Sequence, residues 1–344
     1  MLKLVENEIY KTVYKKRLFI IFGILLILIT SFAYGEKNSL NRTKERLAQR
    51  MGITATTDWR KLCEQQILDM KNRLENRLEN SSGHNDGHGG DDAPAAMQVR
   101  IDQLKYFLEN NINPLDSSAA KFTIRFMEQS IYLFLPLLMI VLAADMVSGE
   151  AADGTIKLLL TRNVPRWKIL LSKYLALQIM ELIVLVMAAV IAVAVSGIFF
   201  GYGGWMTPVA TGFRVIGDQL DTSGVMNVPQ WQYMFMVYGL GYFVSVVVGT
   251  ISFMISVLVR STPASIGIMM ASLIGGNFMS FFLADWKLTR YLFMVNLRLT
   301  DYLSGSFQPI LGMNMTFSVT VLLAWALAAL VVGFAYFTRQ DILV

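Results

Sequence analysis

The sequence predicts an all-α integral membrane protein with six transmembrane helices, both termini in the cytoplasm and a helical extracellular insertion. Two observations carry this prediction. Of the 344 residues, 54% are hydrophobic and only 16% are charged, and the mean hydropathy is +0.48. A soluble domain cannot bury so much apolar surface. In addition, apolar stretches of about twenty residues, the length that crosses a bilayer, recur along the chain. They are 18–34, 127–144, 169–200, 233–259, 264–283 and 317–337.

Basic residues at the ends of these stretches predict their orientation. Lys and Arg crowd residues 11–17 before the first stretch, Arg260 separates the fourth from the fifth, and Arg339 follows the sixth. Short loops rich in Lys and Arg stay on the cytoplasmic side of a membrane, which places these boundaries and both termini inside. The net charge of +5 is therefore interpreted as topology and contact with lipid headgroups, and not as nucleic-acid binding.

Residues 35–123 form a long segment that we predict to be extracellular. Apolar residues recur at helical spacing on both sides of a glycine-rich tip, residues 80–92, which predicts a helical hairpin. The tip contains His84 and His88 among aspartates, donors that suit a divalent metal. A glycine-rich tip loses much conformational entropy when it holds a metal, so we favour a solvated linker and predict no metal site.

Residues 145–168 are predicted to form a charged cytoplasmic loop between the second and third stretches. Asp153 and Gly154 favour a turn, and Thr155 can cap a short helix that ends before Pro165. Such an amphipathic helix either receives a force from a cytoplasmic partner or merely seats the loop at the lipid headgroups. Its pattern alone leaves both interpretations open.

The motif E-x-x-x-G-T-I-x-L-L-L-T-x-x-V-P-R-W-K-I-L-L-x-K-Y-L, at residues 150–175, resembles the ABC-2 type of ATP-binding-cassette transporter permeases. The charged start LVENEIYKTVYKKR and the closing FTRQDI are similar to the same family. The resemblance covers roughly residues 1–34 and 126–344, and the long segment after the first span departs from the compact members. It implies that residues 1–17 form an interface helix along the inner membrane surface.

The resemblance also implies a division of labour between subunits. A six-span permease of this type pairs with a second copy or a related permease, and separate cytoplasmic ATPase subunits bind ATP and Mg. The chain itself contains no G-x-x-x-x-G-K-[ST] phosphate loop, so it is expected to hold no cofactor and to be no enzyme. The residues that would couple to the ATPase are Glu150, Gly154, Thr155, Ile156, Leu159, Leu160, Arg162 and Arg166.

Two acidic residues within the apolar stretches are candidates for an intramembrane polar site, because ionisable groups are costly in hydrocarbon. Glu181 lies in the third stretch and Glu128 near the outer end of the second. For Glu128 we favour a place at the membrane interface, whereas Glu181 suits either function or helix-to-helix contact. Residues 285–313 are too polar to span, and the family resemblance implies an extracellular lid there.

These observations favour a plasma-membrane permease subunit that exports a hydrophobic or amphipathic substrate: a lipid, a peptide or an antimicrobial. The alternative is a membrane sensory or binding module whose extracellular helices capture a ligand or partner without bulk transport. An intramembrane enzyme would need paired aspartates, an H-E-x-x-H helix or a Ser/Lys pair in the spans, and none is found in the sequence.

Overall fold

The computed structural model of the protein describes residues 1–50, 58–81, 92–152, 164–216, 219–282, 286–306 and 313–339. Most of these residues are helical. The helices are α1 (Leu2–Tyr14), α2 (Arg17–Arg50), α3 (Trp59–Ser81), α4 (Asp92–Glu109), α5 (Ala119–Ser130), α6 (Phe134–Ala152), α7 (Arg166–Phe200), α8 (Gln230–Val259), α9 (Thr262–Phe282), α10 (Asp301–Ser304) and α11 (Met315–Arg339). The strands are β1 (Pro208–Thr211), β2 (Arg214–Ile216), β3 (Gln219–Asp221) and β4 (Met226–Pro229).

The chain is a multi-pass membrane protein built on these helices. Four of them, α2, α7, α8 and α11, are long and apolar enough to cross a membrane, and α5 with α6 makes a fifth crossing if the bent pair is one span. In α9 the apolar stretch found among the described residues is the shorter Thr262–Gly276. α8 lies at the centre and packs against α5, α6, α7, α9 and α11. The all-α membrane class is therefore found, while the count of six spans stays a prediction.

The second apolar stretch is not one straight helix. α5 ends at Ser130 and α6 begins at Phe134, with a bend of 60° between the two. Pro136 lies in the first turn of α6, where its missing N–H is tolerated, but it cannot donate to the carbonyl of Tyr132 and its ring opposes a continuous helix there. The guanidinium of Arg298 lies 4.3 Å from the centre of the Tyr132 ring and covers this break.

The segment after the first span is helical on both sides of residues 82–91, which are not among the described residues. α2 does not end at Tyr34, since it continues without interruption to Arg50. α3 then packs against α4, with Cys63 and Leu104 fully buried. The segment is therefore held by a long helix that rises directly from the first span.

Residues 201–230 contain strands that the sequence analysis did not predict. β1 pairs antiparallel with β4, and β2 pairs antiparallel with β3. Phe213, which lies between β1 and β2, makes edge-to-face contacts with Tyr106 and Phe107 of α4, with ring centroids 5.3 and 5.9 Å apart. Three- and four-residue strands lack the alternating pattern that identifies a longer strand.

Gln103 of α4 joins this part of the molecule to α10. Its amide nitrogen donates to the carbonyl oxygens of Ser304, at 3.2 Å, and Gly305, at 2.8 Å. Replacing Gln103 with leucine removes both donors and leaves two partly buried carbonyls unpaired, which is expected to cost about 1–3 kcal/mol of unfolding free energy. Hydrogen exchange should rise at residues 301–306 in particular.

Gln98 provides the matched control for Gln103. It lies on the same helix and, among the described residues, donates only to Asp102, one turn away. The change Gln98→Leu is expected to alter the unfolding free energy by less than about 0.5 kcal/mol, as surface changes usually do. Equal hydrogen exchange at residues 301–306 in Gln103→Leu and Gln98→Leu would show that the Gln103 contact is not needed.

Candidate functional site

A cluster of four charged side chains joins α1, α6 and α7 at one end of the helix bundle. The ammonium of Lys173 lies 2.8 Å from Glu8 Oε2 and 2.7 Å from Glu150 Oε2. Lys11 completes the arrangement, with its ammonium 2.9 Å from Glu150 Oε1 and 3.3 Å from Glu8 Oε1. We call Glu8, Lys11, Glu150 and Lys173 the N-terminal ion cluster. Each of the four groups contacts both oppositely charged groups.

The cluster is buried on one side and open on the other. Lys173 is 1% exposed, Glu8 5% and Glu150 8%, whereas the Lys11 side chain remains 40% exposed. Burial lowers the pKa of Lys11, but the hydrogen bond to Glu150 and the charge of Glu8 outweigh it, so this pKa is raised above its usual value. Two positive and two negative charges balance, as buried ions require.

The local sequence explains why the amphipathic α1 lies here. Val5 and Glu8, three residues apart, share the buried face of the helix. After α1 the chain turns at Lys16, which adopts a left-handed conformation with φ of 57°. Arg17, the first residue of α2, then forms a salt bridge with Asp145 of α6, and the Lys15 ammonium lies 3.7 Å from the same carboxylate.

A cavity of about 260 Å³ opens between α1, α2 and α6 beside this cluster. Six of the nine residues that line it carry a charge, although most of its surface is apolar. The residues that line it are Glu8, Lys11, Thr12, Lys15, Arg17, Leu142, Asp145, Met146 and Glu150.

Hydroxyl groups attach the same end of α6 to α8 and α9. Ser256 of α8 donates to the carbonyl of Ala144 at 2.6 Å and accepts from the backbone N–H of Ser148 at 2.9 Å. The Ser148 hydroxyl also lies 2.9 Å from the hydroxyl of Thr262 at the start of α9. Thus α1, α6, α7, α8 and α9 are joined by polar contacts at one end of the bundle.

The structure divides the residues that were predicted to couple to an ATPase. Glu150 is within the N-terminal ion cluster, near the end of α6, and Arg166 is the partly exposed first residue of α7. Residues 153–163 lie outside the described residues. The predicted residues in that range are Gly154, Thr155, Ile156, Leu159, Leu160 and Arg162.

Glu181 lies inside the bundle on α7 and is fully buried. Both of its carboxylate oxygens lack a hydrogen-bond partner among the described residues. It faces Gly249 of α8, where an added Cβ would overlap the carboxylate. The hydroxyls of Tyr174 and Thr250, 3.1 Å apart, lie on the same two helices.

Glu128 lies on α5 and does not share a site with Glu181. Its Oε1 accepts a hydrogen bond of 2.8 Å from the hydroxyl of Tyr233, near the start of α8. Tyr233 and Gly249 are sixteen residues apart, or about 24 Å along a helix. The two carboxylates, each a candidate for an intramembrane polar site, therefore lie at separate levels of α8.

Sequence reasoning missed the partners that define the N-terminal ion cluster. Lys173 lies beyond the predicted loop 145–168, about two turns into α7 and within a mainly apolar helix. A single lysine within an apolar run was the available signal, since such a side chain needs a buried partner. Among the described residues no group of three metal-ligating side chains occurs, and His84 and His88 lie outside them.

The chain is similar to bacterial proteins of unknown function. The uncharacterized protein YhcI of Bacillus subtilis (strain 168) is 25% identical over 352 aligned positions, which cover 99% of both chains. The uncharacterized membrane protein YdbK of the same organism is 26% identical over 217 positions, covering 62% of this chain and 80% of its own.

A family model described as "Protein of unknown function (DUF2705)" matches residues 95–343. That match corrects the family assignment made from residues 150–175: the assignment to the ABC-2 permeases is wrong, because the model that covers most of the chain describes another family. The motif covers only residues 150–175, and so short a match carries a risk of being a false positive. The chain belongs to the DUF2705 family.

Proposed function

We propose that this protein is the membrane-spanning permease subunit of a transporter whose energy comes from a separate cytoplasmic ATPase, with ATP and Mg bound there. The substrate class that we propose is hydrophobic or amphipathic, such as a lipid, a peptide or an antimicrobial, and it is exported. The observation that carries the proposal is the N-terminal ion cluster. It fixes α1 and the adjacent ends of α6 and α7 to one another, on both sides of residues 153–163.

A force applied beside the cluster would reach the whole bundle. Because Lys173 contacts Glu8 and Glu150 at once, α1, α6 and α7 must move together or the buried charges separate. Through Ser148 and Ser256 the same movement reaches α8. The break between α5 and α6 supplies a place where α6 can change its angle while α5 stays in place, as in other rigid-body switches.

The orientation and partners belong to the same proposal. The cluster would face the cytoplasm of a cell whose plasma membrane holds the chain, with residues 35–123 outside and residues 285–313 as a lid on the outer side. A second permease, either an identical copy or a related chain, would complete the pathway. Membrane lipids would surround the exposed apolar side chains of α7 and α8.

Photo-crosslinking from single positions on α7 tests the proposal. Trp167 is exposed in the first turn of α7, and Leu175 is exposed on the same helix about 12 Å further along. A photoreactive residue at 167, in cells, is expected to crosslink a protein that hydrolyses ATP. When that protein and this membrane protein are purified together, the ATPase activity should depend on the presence of the membrane protein.

The photoreactive residue at 175 is the control, because that position lies within the apolar part of α7. It should capture lipid or membrane protein but no ATPase. If both positions capture the same proteins, or if 167 captures only proteins without ATPase activity, the proposal is rejected. Quantitative mass spectrometry of the crosslinked products makes this comparison.

The second candidate is a sensory or binding module, favoured by a cavity of about 560 Å³ where α2, α3, α4 and α5 meet. Such a module would bind its ligand without moving it across the membrane. Reconstituted vesicles separate the two candidates: a permease moves substrate in proportion to ATP hydrolysed, whereas a sensory module hydrolyses ATP without net substrate movement.

A further inference from the structure

A cavity of about 560 Å³ lies beside α2, at the C-terminal end of the first apolar stretch and far from α1. One wall is a stripe along α2 that includes Phe32, Glu36 and Leu40, and the opposite walls come from α3, α4, α5 and the loop before α5. Since Phe32 is within the apolar stretch and Leu40 is beyond it, the cavity lies at the depth of the lipid headgroups.

Arg100 of α4 projects into this cavity with most of its hydrogen-bonding capacity unused. Its Nη1 donates to Gln103 Oε1 at 3.1 Å, one turn away on the same helix. Among the described residues no carboxylate forms a salt bridge with it. A guanidinium has five N–H donors in a planar fork that fits two oxygens of a phosphate group.

The surroundings of Arg100 are basic overall. Arg125, on the cavity wall, pairs with Glu36 at 2.6 Å. Lys121 lies within electrostatic range of both arginines and donates to the carbonyl of Pro114 at 2.6 Å. With Asp116, the group contains three basic and two acidic side chains, so one positive charge is left without a counter-ion.

Polar and apolar groups share the rest of the lining. Gln66 of α3 contributes a buried side-chain oxygen that has no hydrogen-bond partner among the described residues, and Ser39 and Thr43 of α2 contribute hydroxyls. Phe32 and Leu115 supply apolar surface beside them. A ligand with an anionic group, hydroxyl groups and an apolar end satisfies all three kinds of surface.

We propose that this cavity binds the phosphate group of an anionic glycerophospholipid, with Arg100 as its principal ligand. Arg125, shared with Glu36, is the second basic contact, while Gln66 accepts from a headgroup hydroxyl. Phe32 and Leu115 contact the glycerol and the first acyl carbons. The site does not depend on the proposed transport function, because it requires only that the lipid headgroups lie beside α2.

The test measures lipid binding to the full-length protein by native mass spectrometry, after purification in a maltoside detergent and removal of bound lipid. The probes are dioctanoyl phosphatidylglycerol, dioctanoyl phosphatidylcholine and inorganic phosphate. We expect phosphatidylglycerol to bind in preference to phosphatidylcholine, and Arg100→Gln to weaken its affinity about tenfold or more.

Arg73→Gln is the matched control, because Arg73 is exposed on α3 and does not line the cavity. It should leave the affinity unchanged.

Asp116→Asn removes an acid from the lining and should strengthen binding of phosphatidylglycerol, so this variant tests the proposal even if Arg100→Gln does not fold. Equal affinity of wild type, Arg100→Gln and Asp116→Asn would overturn the proposal, as would equal binding of the two lipids. If equimolar inorganic phosphate displaces phosphatidylglycerol, the proposal of a lipid ligand is overturned and the site is assigned to a soluble phosphate compound.

Discussion

Replacing Lys173 with methionine is expected to lower the free energy of unfolding by about 3–5 kcal/mol, which is the usual effect of removing one partner from a buried ion pair. Methionine fills a similar volume, so the loss reflects charge more than packing. Without the ammonium, Lys11 is the cation among the described residues that still lies between the carboxylates of Glu8 and Glu150. They then repel each other in a buried place, and α1 should separate from α7.

Two measurements on the full-length protein test the effect of Lys173→Met. Denaturation in mixed detergent micelles gives the stability difference, and proteolysis within residues 2–14 reports release of α1. Lys168→Met is the matched control, since Lys168 lies on the same helix and contacts the ring of Trp167 instead of a carboxylate. It should cost less than about 1 kcal/mol.

A combined variant distinguishes charge from shape. Lys173→Met together with Glu8→Gln and Glu150→Gln removes both buried carboxylates, and should recover part of the lost stability because the charge that remains, on Lys11, is partly exposed. If Lys173→Met alone lowers the free energy of unfolding no more than Lys168→Met does, the N-terminal ion cluster does not hold α1 in place. The proposal that movement passes from this cluster to the helix bundle is then contradicted.

The change Gly249→Ala is expected to lower the free energy of unfolding by about 1–3 kcal/mol, the usual effect of overpacking a core. The added methyl group would overlap the carboxylate of Glu181, which is itself fully buried. Either α7 must move away from α8 or Glu181 must leave its rotamer. Unfolding of purified protein in detergent gives the magnitude.

Gly239→Ala is the control on the same helix, because an added methyl group there would meet nothing within 4 Å. It should be neutral, or stabilising by up to about 1 kcal/mol through helix propensity. The pair Gly249→Ala with Glu181→Ala should lose less stability than the sum of the single changes, since the methyl group then occupies vacated space. Strict additivity would show that Gly249 and Glu181 do not constrain each other.

The helical membrane class was readable from composition and from long apolar runs, because burial in lipid imposes strong constraints on every span. The break at residues 131–133 was missed, although Pro136 marks it. Identifying spans by the length of apolar stretches ignores that proline has no backbone N–H to donate. The fifth predicted stretch, 264–283, agrees closely with α9, which runs from Thr262 to Phe282.

The candidate sites were less predictable than the fold. Glu150 was selected as a surface contact, whereas its partners Glu8 and Lys173 are separated from it by 142 and 23 residues in the sequence. Pairing over such distances depends on how α1 docks, which helical periodicity does not specify. Arg100 was not selected either, because one arginine on a polar helix has no pattern that distinguishes it before α2 is placed beside it.

The length of α2 has a mechanical consequence for the cavity of about 560 Å³ that it forms with α3, α4 and α5. Its 34 residues extend about 51 Å, whereas the hydrocarbon of a bilayer is about 30 Å thick. The helix is uninterrupted, so a tilt of about 10° at Arg17 displaces its other end by about 9 Å. Because Arg17 is held to Asp145 beside the N-terminal ion cluster, a small rotation there is magnified into a change in cavity width at the opposite membrane surface. A rotation of α2 near the N-terminal ion cluster can thus change the width of the cavity at the other membrane surface.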